Sequence, residues 1–335
     1  KREDGGVWFE CLKGLGSQIE LLWDKERICL RPNRTRRIIP TTEANLFVAN
    51  SGTTMRFLTA MVSLGQGHFR LDGIPRMRER PIADLLYALN QLDVSARGDV
   101  RDGYPPVTVE ANSLRGGPVR MRADVSSQFL SALLMVAPFA TSDIDITLEG
   151  PLVSRPYIAM MLSMLRHWRL ECDWDHGRHF HIPGNQQGGC PSYTIEPDAS
   201  AASYFFAAAA ILRGRVTVLD LPENSLQGDV HFVDTLEQMG CRVEKCSSGI
   251  TVHGRPLHGI DVDMNAISDT VMTLGAVACF ADGPTTIRNV AHIRHKETDR
   301  ITALATELRK VGATVEEFGD GVKIIPGPLH GAEID

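Results

Sequence analysis

The chain repeats one plan about every 70 residues, and a period of that length marks a supersecondary unit used several times over. Four apolar helical segments begin at Ser51 (SGTTMRFLTAMVSLG), Ser126 (SSQFLSALLMVAPFA), Ser200 (SAASYFFAAAAILRG) and Ser268 (SDTVMTLGAVACFADG), spaced 75, 74 and 68 residues apart. A β-type run follows each of them: HFRLDG, IDITLEG, RVTVLDL and TTIRNV. Each run then leads into a second helical segment: PRMRERPIADLLYAL, LVSRPYIAMMLSML, NSLQGDVHFVDTLEQMG and HIRHKETDRITALATELRKVG.

The two helix sets differ in pattern. The second helices are amphipathic, with Ile82, Leu85, Leu86 and Leu89, or Ile301, Leu304, Ala305 and Leu308, at the i, i+3, i+4, i+7 spacing of a single helix face. The first helices are apolar nearly all round, which predicts burial on every side. The order of elements gives an α/β fold of repeated βαβαββ units, with strands and amphipathic helices wrapped around central helices. Helix N-termini then gather at one end of each domain, and their free N–H groups and positive dipole ends suit anions.

With 335 residues, 43% of them hydrophobic, the chain is long enough for two domains. The repeat places them at 1–196, holding two complete units and a partial one, and at 197–335, holding two. The longest apolar run, Tyr204 to Leu212, is too short to span a bilayer, and the first residues carry neither an initiator Met nor a signal-type apolar region. Cys11, Cys29, Cys172, Cys190, Cys241, Cys246 and Cys279 are odd in number and scattered, the pattern of reduced thiols in a cytoplasmic protein. A net charge of −6 argues against nucleic acid as the main partner, so an anion site must be local. The stretch CDWDHGRHFH has the composition of a metal site, yet His179 and His181 alternate as on a strand. It reads as an exposed hairpin.

The stretch RHKETDR, residues 294 to 300, is the densest cluster of charge, and taken alone it reads as a solvated helix face. Its meaning changes in company. NSGTTMR (Asn50 to Arg56), PRMRERPI (Pro75 to Ile82), SSQFLSALLM (Ser126 to Met135), LVSRPY (Leu152 to Tyr157), DASAASYF (Asp198 to Phe205), NSLQGD (Asn224 to Asp229) and KETDR (Lys296 to Arg300) occur in that order. Together they resemble the EPSP synthases, or 3-phosphoshikimate 1-carboxyvinyltransferases, of the enolpyruvyl transferase family, over essentially the entire chain.

That resemblance implies a two-domain inside-out α/β barrel with a cleft between the domains. It also implies transfer of the enolpyruvyl group of phosphoenolpyruvate to the 5-hydroxyl of shikimate 3-phosphate, with no metal or organic cofactor in the chemical step. The expected setting is a cytoplasmic monomer. By the same resemblance Gly52, Thr53, Arg80, Gln128 and Arg300 contact phosphoenolpyruvate. Ser126, Ser127, Gln128, Ser154 and Lys296 hold shikimate 3-phosphate, with Tyr157 and His292 lining its site. Asp269 is the base at the 5-hydroxyl, and Glu297 is the proton donor to the methylene carbon, with Lys296 beside it as the third catalytic residue, tuning or completing the proton relay. The residue types suit those tasks, since guanidinium forks and helix N-termini bind carboxylate and phosphate and the reaction needs a positioned acid and base. Read singly, the same residues have plainer roles. Ser126, Ser127 and Asp269 could cap helices, and Arg80 before Pro81 could start one.

The chain also differs from the family pattern. It begins at a helix carrying Trp8, Cys11, Leu12 and Leu15, the second helix of a unit, and ends after GVKIIPGP. The expectation is about four and a half of six units, without the family's early Lys-Ser segment or its late Arg and Lys. His292 stands where many members have Asn against the shikimate, a change that alters the substrate contact or adds pH dependence near neutrality. Phe57 stands where many have Pro, a place that bears on the response to glyphosate, the family's familiar inhibitor. Two other readings stay open. A UDP-N-acetylglucosamine enolpyruvyl transferase shares the fold but usually carries a Cys on the loop written here PRMRERP, and no Cys lies between Cys29 and Cys172. A non-catalytic protein that binds phosphate esters is the other.

Overall fold

The computed structural model describes residues 3–22, 25, 27–31, 37–190 and 192–334. The chain divides into two compact units, one of Lys1–Leu152 and Met161–Cys190, the other of Val153–Met160 and Pro191–Asp335.

The repeat is visible in strand order. In the first unit Glu43–Phe47 pairs parallel with Gln66–Asp72, which pairs antiparallel with Val107–Asn112, itself antiparallel to Ser95–Gly98. The second sheet of that unit runs Gly117–Met121, Ile144–Leu148, His179–Ile182, Asp173–Trp174 with the same senses. In the second unit Asp261–Asp263, Thr285–Arg288, Gly321–Ile325 and Thr314–Phe318 repeat it, and Arg215–Leu219, Gly249–His253 and Arg242–Cys246 form a three-stranded version. Each parallel pair is joined through one of the apolar helices, as a parallel crossover requires. Side-chain alternation sets the registers: Ile144, Ile146 and Leu148 point inward while Asp145 and Thr147 face outward. The CDWDHGRHFH segment is a hairpin, with Phe180 opposite Trp174 and their rings stacked 5.3 Å apart.

The helices are α1 (Glu3–Gly14), α2 (Gly52–Val62), α3 (Ala83–Gln91), α4 (Ser127–Val136), α5 (Arg155–His167), α6 (Ala199–Leu212), α7 (Phe232–Gln238), α8 (Val271–Ala278) and α9 (Arg300–Lys310). Local chemistry sets several of their starts. Ser51 caps α2 by accepting the Thr54 N–H, Ser126 caps α4 through Gln128, Asp198 caps α6 through Ala201, and Asp299 caps α9 through Ile301 and Thr302. The amphipathic faces of α3 and α9 are buried as their spacing predicts. Phe206, Phe232, Leu236, Leu274, Ile301 and Ile324 lie in the core of the second unit.

Two expectations need correction. The segment from Ser268 does not open directly into a helix: Asn265–Thr270 forms a 3₁₀ segment with a non-helical Ile267, and α8 begins only at Val271. Helix α6 is not buried all round, since Tyr204, Phe205 and Leu212 are each more than 60% exposed. An all-round apolar helix needs neighbours on every face, and none covers this one among the described residues. No helix among the described residues is long and apolar enough to cross a membrane.

Gly67 shows how tightly the parallel pairing is built. Its φ is +137°, and a Cβ there would lie 1.8 Å from the Thr42 carbonyl oxygen, which accepts the His68 N–H at 2.8 Å. Gly67→Ala is expected to destabilise the protein by about 2–5 kcal/mol, combining backbone strain with a main-chain collision. Denaturant unfolding measures this, and an unchanged midpoint would show that the strand start shifts freely.

Candidate active site

The expected site residues fall into two groups, one in each unit. In the first unit the group forms where α2 and α4 begin. Gly52 opens α2, and a Cβ there would meet Arg80 Nη2 at 2.3 Å and Arg56 Nη1 at 2.9 Å, so two guanidinium groups crowd the position that only glycine leaves open. Arg80 is 2% exposed and its Nη1 donates to the Asn50 carbonyl at 2.7 Å. It does not start a helix, because α3 begins three residues later.

Arg56 is 4% exposed, lies over the Phe129 ring at 5.1 Å and donates to the Gln128 side-chain oxygen. The Gln128 Nε2 in turn donates to Thr53 Oγ1 at 3.2 Å. The two helix starts are thereby tied together, with Ser126 and Ser127 at the head of α4. Ser126 does cap that helix, accepting the Gln128 N–H at 3.3 Å. A hydroxyl that accepts one bond still has its own proton to donate. The group unites buried guanidinium charge with two helix N-termini, a constellation suited to anions.

In the second unit the group centres on Asp269. Its Oδ1 accepts from Arg300 Nη1 at 2.8 Å and lies 3.6 Å from Lys296 Nζ, while its Oδ2 accepts the Tyr157 hydroxyl at 2.8 Å. The side chain therefore does not cap α8. Burial opposes its ionisation, but the charges of Lys296 and Arg300, with the Tyr157 hydrogen bond, outweigh it and bring its pKa down to about 2. The other end of the Arg300 fork, Nη2, donates to Glu297 Oε2 at 2.7 Å. One guanidinium thus spans both carboxylates. Burial, then the Asp269 and Asp229 carboxylates, raises the Tyr157 phenol far above its ordinary value.

Ser154 sits at a positive φ of 51°, held by Asn265, whose side-chain oxygen accepts the Ser154 N–H at 3.2 Å. His292 is buried, with Nε2 2.9 Å from Ser268 Oγ. Burial, then the Lys296 charge, holds its pKa down to about 4, so it is neutral around pH 7. The expected titration near neutrality is corrected on that ground.

Two residues of these groups were not singled out from sequence. Arg56 closes the quoted NSGTTMR motif, and a charge inside an otherwise apolar helix was a usable signal. Asp229 closes NSLQGD. It is 3% exposed, within hydrogen-bond reach of Tyr157 and bonded to Ser200, and no periodicity could have shown this.

The family profile described as EPSP synthase (3-phosphoshikimate 1-carboxyvinyltransferase) matches residues 2–335. Proteins named 3-phosphoshikimate 1-carboxyvinyltransferase from Trichormus variabilis and Nostoc punctiforme are 45% and 47% identical over 334 residues, which is 99% of this chain and 78% of each of theirs. Among solved structures, an EPSP synthase from Acinetobacter baumannii superposes with a TM-score of 0.71 at 23% identity, over 97% of this chain and 74% of that one. At that identity the superposition speaks for the fold.

Proposed function

Because the chain belongs to the EPSP synthase (3-phosphoshikimate 1-carboxyvinyltransferase) family and is a transferase, we propose that it moves the enolpyruvyl group of phosphoenolpyruvate onto the 5-hydroxyl of shikimate 3-phosphate. The products are 5-enolpyruvylshikimate 3-phosphate and phosphate, a step of the shikimate pathway to chorismate and the aromatic amino acids. The observation that carries the reading is the Asp269 carboxylate, kept ionised by Lys296 and Arg300 and oriented by Tyr157.

Both substrates are anions, so charge must be offset before chemistry can begin. In the first unit Arg80 beside Gly52, with Gln128 and Thr53, takes phosphoenolpyruvate. Ser126 and Ser127 at the start of α4 offer hydroxyls and N–H groups to the phosphate of shikimate 3-phosphate. In the second unit Ser154, Tyr157, His292 and Lys296 bind the shikimate moiety. Asp269 takes the proton of the 5-hydroxyl, and Glu297 gives one to the methylene carbon. The new C–O bond forms as the methylene becomes methyl. Loss of a methyl proton and of phosphate then restores the double bond.

A carboxylate with a pKa near 2 is a weak base. Arg300 resolves this, since a guanidinium recruited by the carboxylate of phosphoenolpyruvate releases Asp269 and Glu297 together and raises the basicity of both. The same reading has the protein as a cytoplasmic monomer whose partners are two small anions, held by local cations against a net charge of −6. The absence of a Cys between Cys29 and Cys172, and relatives named for the shikimate reaction, favour this substrate over a UDP-sugar.

The test is phosphate release by the intact protein from phosphoenolpyruvate, with and without shikimate 3-phosphate. Release that depends on both substrates supports the reading, and no release with either acceptor sinks it. Gly52→Ala puts a methyl where Arg80 Nη2 now lies. It is expected to raise the KM for phosphoenolpyruvate on the order of tenfold, the cost of displacing about one charge-assisted hydrogen bond. An unchanged KM would show that Arg80 does not bind this substrate.

A further inference from the structure

Tyr157 presents a proton-counting problem. Its hydroxyl oxygen lies 2.8 Å from Asp269 Oδ2 and 3.3 Å from Asp229 Oδ2, and a phenol has one proton to give. With both carboxylates ionised, one of these approaches would set two electron-rich oxygens against each other in a buried setting. One further proton must sit in the trio.

The surroundings decide where it sits. Asp269 has cations, Arg300 at 2.8 Å and Lys296 at 3.6 Å. Asp229 has none among the described residues. It lies in the short segment Gly228–His231, which packs on α6 and on Asn265–Thr270. The groups facing it from those elements and from α5 are the Ser200 hydroxyl, the Tyr157 phenol, and the carboxylates of Asp269 and Asp198. Its Oδ1 is buried without a hydrogen-bond partner, an expensive position for an ionised oxygen.

We propose that Asp229 is kept as a neutral acid and is a positioning residue for Asp269: its proton is donated to the Tyr157 oxygen, which commits the phenol's own proton to Asp269 Oδ2. Ser200 donates to the same Asp229 oxygen and fixes the carboxyl plane. The base is then held at both oxygens, by Arg300 on one and by Tyr157 on the other, without a second negative charge behind it. Burial raises the pKa of Asp229, and with the charge of Asp269 it outweighs the hydrogen bonds from Ser200 and Tyr157 that act the other way, in agreement with this assignment. The positioning role rests on the transferase reading above, whereas the protonation state does not.

Infrared difference spectra of the intact protein near pH 7, wild type minus Asp229→Asn, test the protonation without turnover. The wild type should show the carbonyl stretch of a protonated carboxylic acid that the variant lacks, and Tyr157→Phe should shift that band by removing its acceptor. A wild type without the band overturns the proposal. The positioning role is read from kcat. Asp229→Leu should lower it on the order of tenfold, about the worth of one buried hydrogen bond, with the KM values little changed. Asp229→Asn, neutral and able to donate an N–H to the phenol, should recover most of that loss. An Asn variant as impaired as the Leu variant overturns the positioning role. If Asp229→Leu does not fold, Tyr157→Phe supplies the impaired reference in its place. A protein that shows the band but turns over neither substrate counts against the transferase reading alone.

Discussion

Asp269→Asn is expected to lower kcat by about 10² to 10⁴-fold, the usual contribution of a general base, with the KM of both substrates changed little. Asparagine has the same shape, and its one carbonyl oxygen can still accept from Arg300 while its amide N–H turns to the Tyr157 oxygen, so the side chain stays in place and the carboxylate is lost. The substitution also removes the charge that Lys296 and Arg300 share, and this can be read without turnover. In the folded protein the carboxyl titrates at about 2, below its ordinary 3.8. A group depressed on folding adds stability above its unfolded pKa and loses it as pH falls through the folded one. Wild type should therefore lose an increment of stability on acidification from about pH 4 to about pH 2, and Asp269→Asn should lack that increment. Wild-type turnover in the Asn variant would remove Asp269 from the chemistry.

The fold was legible where local pattern and tertiary environment agree. The 3.6 period of Ile82, Leu85, Leu86 and Leu89 marked a face that is buried, and the alternation in Ile144–Leu148 marked a strand with one face inward. It was illegible where one residue breaks the pattern. Ile267 reads as an ordinary apolar residue, yet its backbone leaves the helical region and delays α8 to Val271. Tyr204 and Phe205 read as core because hydrophobicity cannot say which neighbours are present to cover them.

The site divides in the same way. Arg80, Gln128 and Arg300 stand in motifs that keep their order along the chain, whereas Asp269 lies outside those motifs and is a candidate through the resemblance alone. Charge density at RHKETDR does not by itself distinguish Arg300 from the solvated residues of an exposed helix start. Asp229 escaped because its meaning comes from contacts 72 residues away with Tyr157 and 29 with Ser200. His292 is legible as a candidate, but not its charge. Its position was readable, but its protonation depends on burial and on Lys296, which only the folded chain brings to bear.

Glu297→Gln is expected to lower kcat by about 10² to 10⁴-fold as well, though for the opposite proton movement. Half of the Glu297 side chain is exposed, and its Oε2 accepts from the Arg300 fork at 2.7 Å. In the proposed reaction it would act as the acid once the guanidinium turns to the substrate, with water or Lys296 supplying the proton through its exposed half. Glutamine preserves the bond to Arg300 through its amide oxygen but cannot deliver that proton. Binding of phosphoenolpyruvate should survive, and exchange of its methylene hydrogens with solvent deuterium, which requires protonation at carbon, should disappear. Asp269→Asn gives a different signature, because a slowed attack by the hydroxyl leaves Glu297 able to protonate the carbon of each molecule that does react. A Gln variant that still exchanges the methylene at the wild-type rate would assign the donor elsewhere, and Lys296, next to Glu297 in the chain and 3.6 Å from Asp269, would be the next residue to replace.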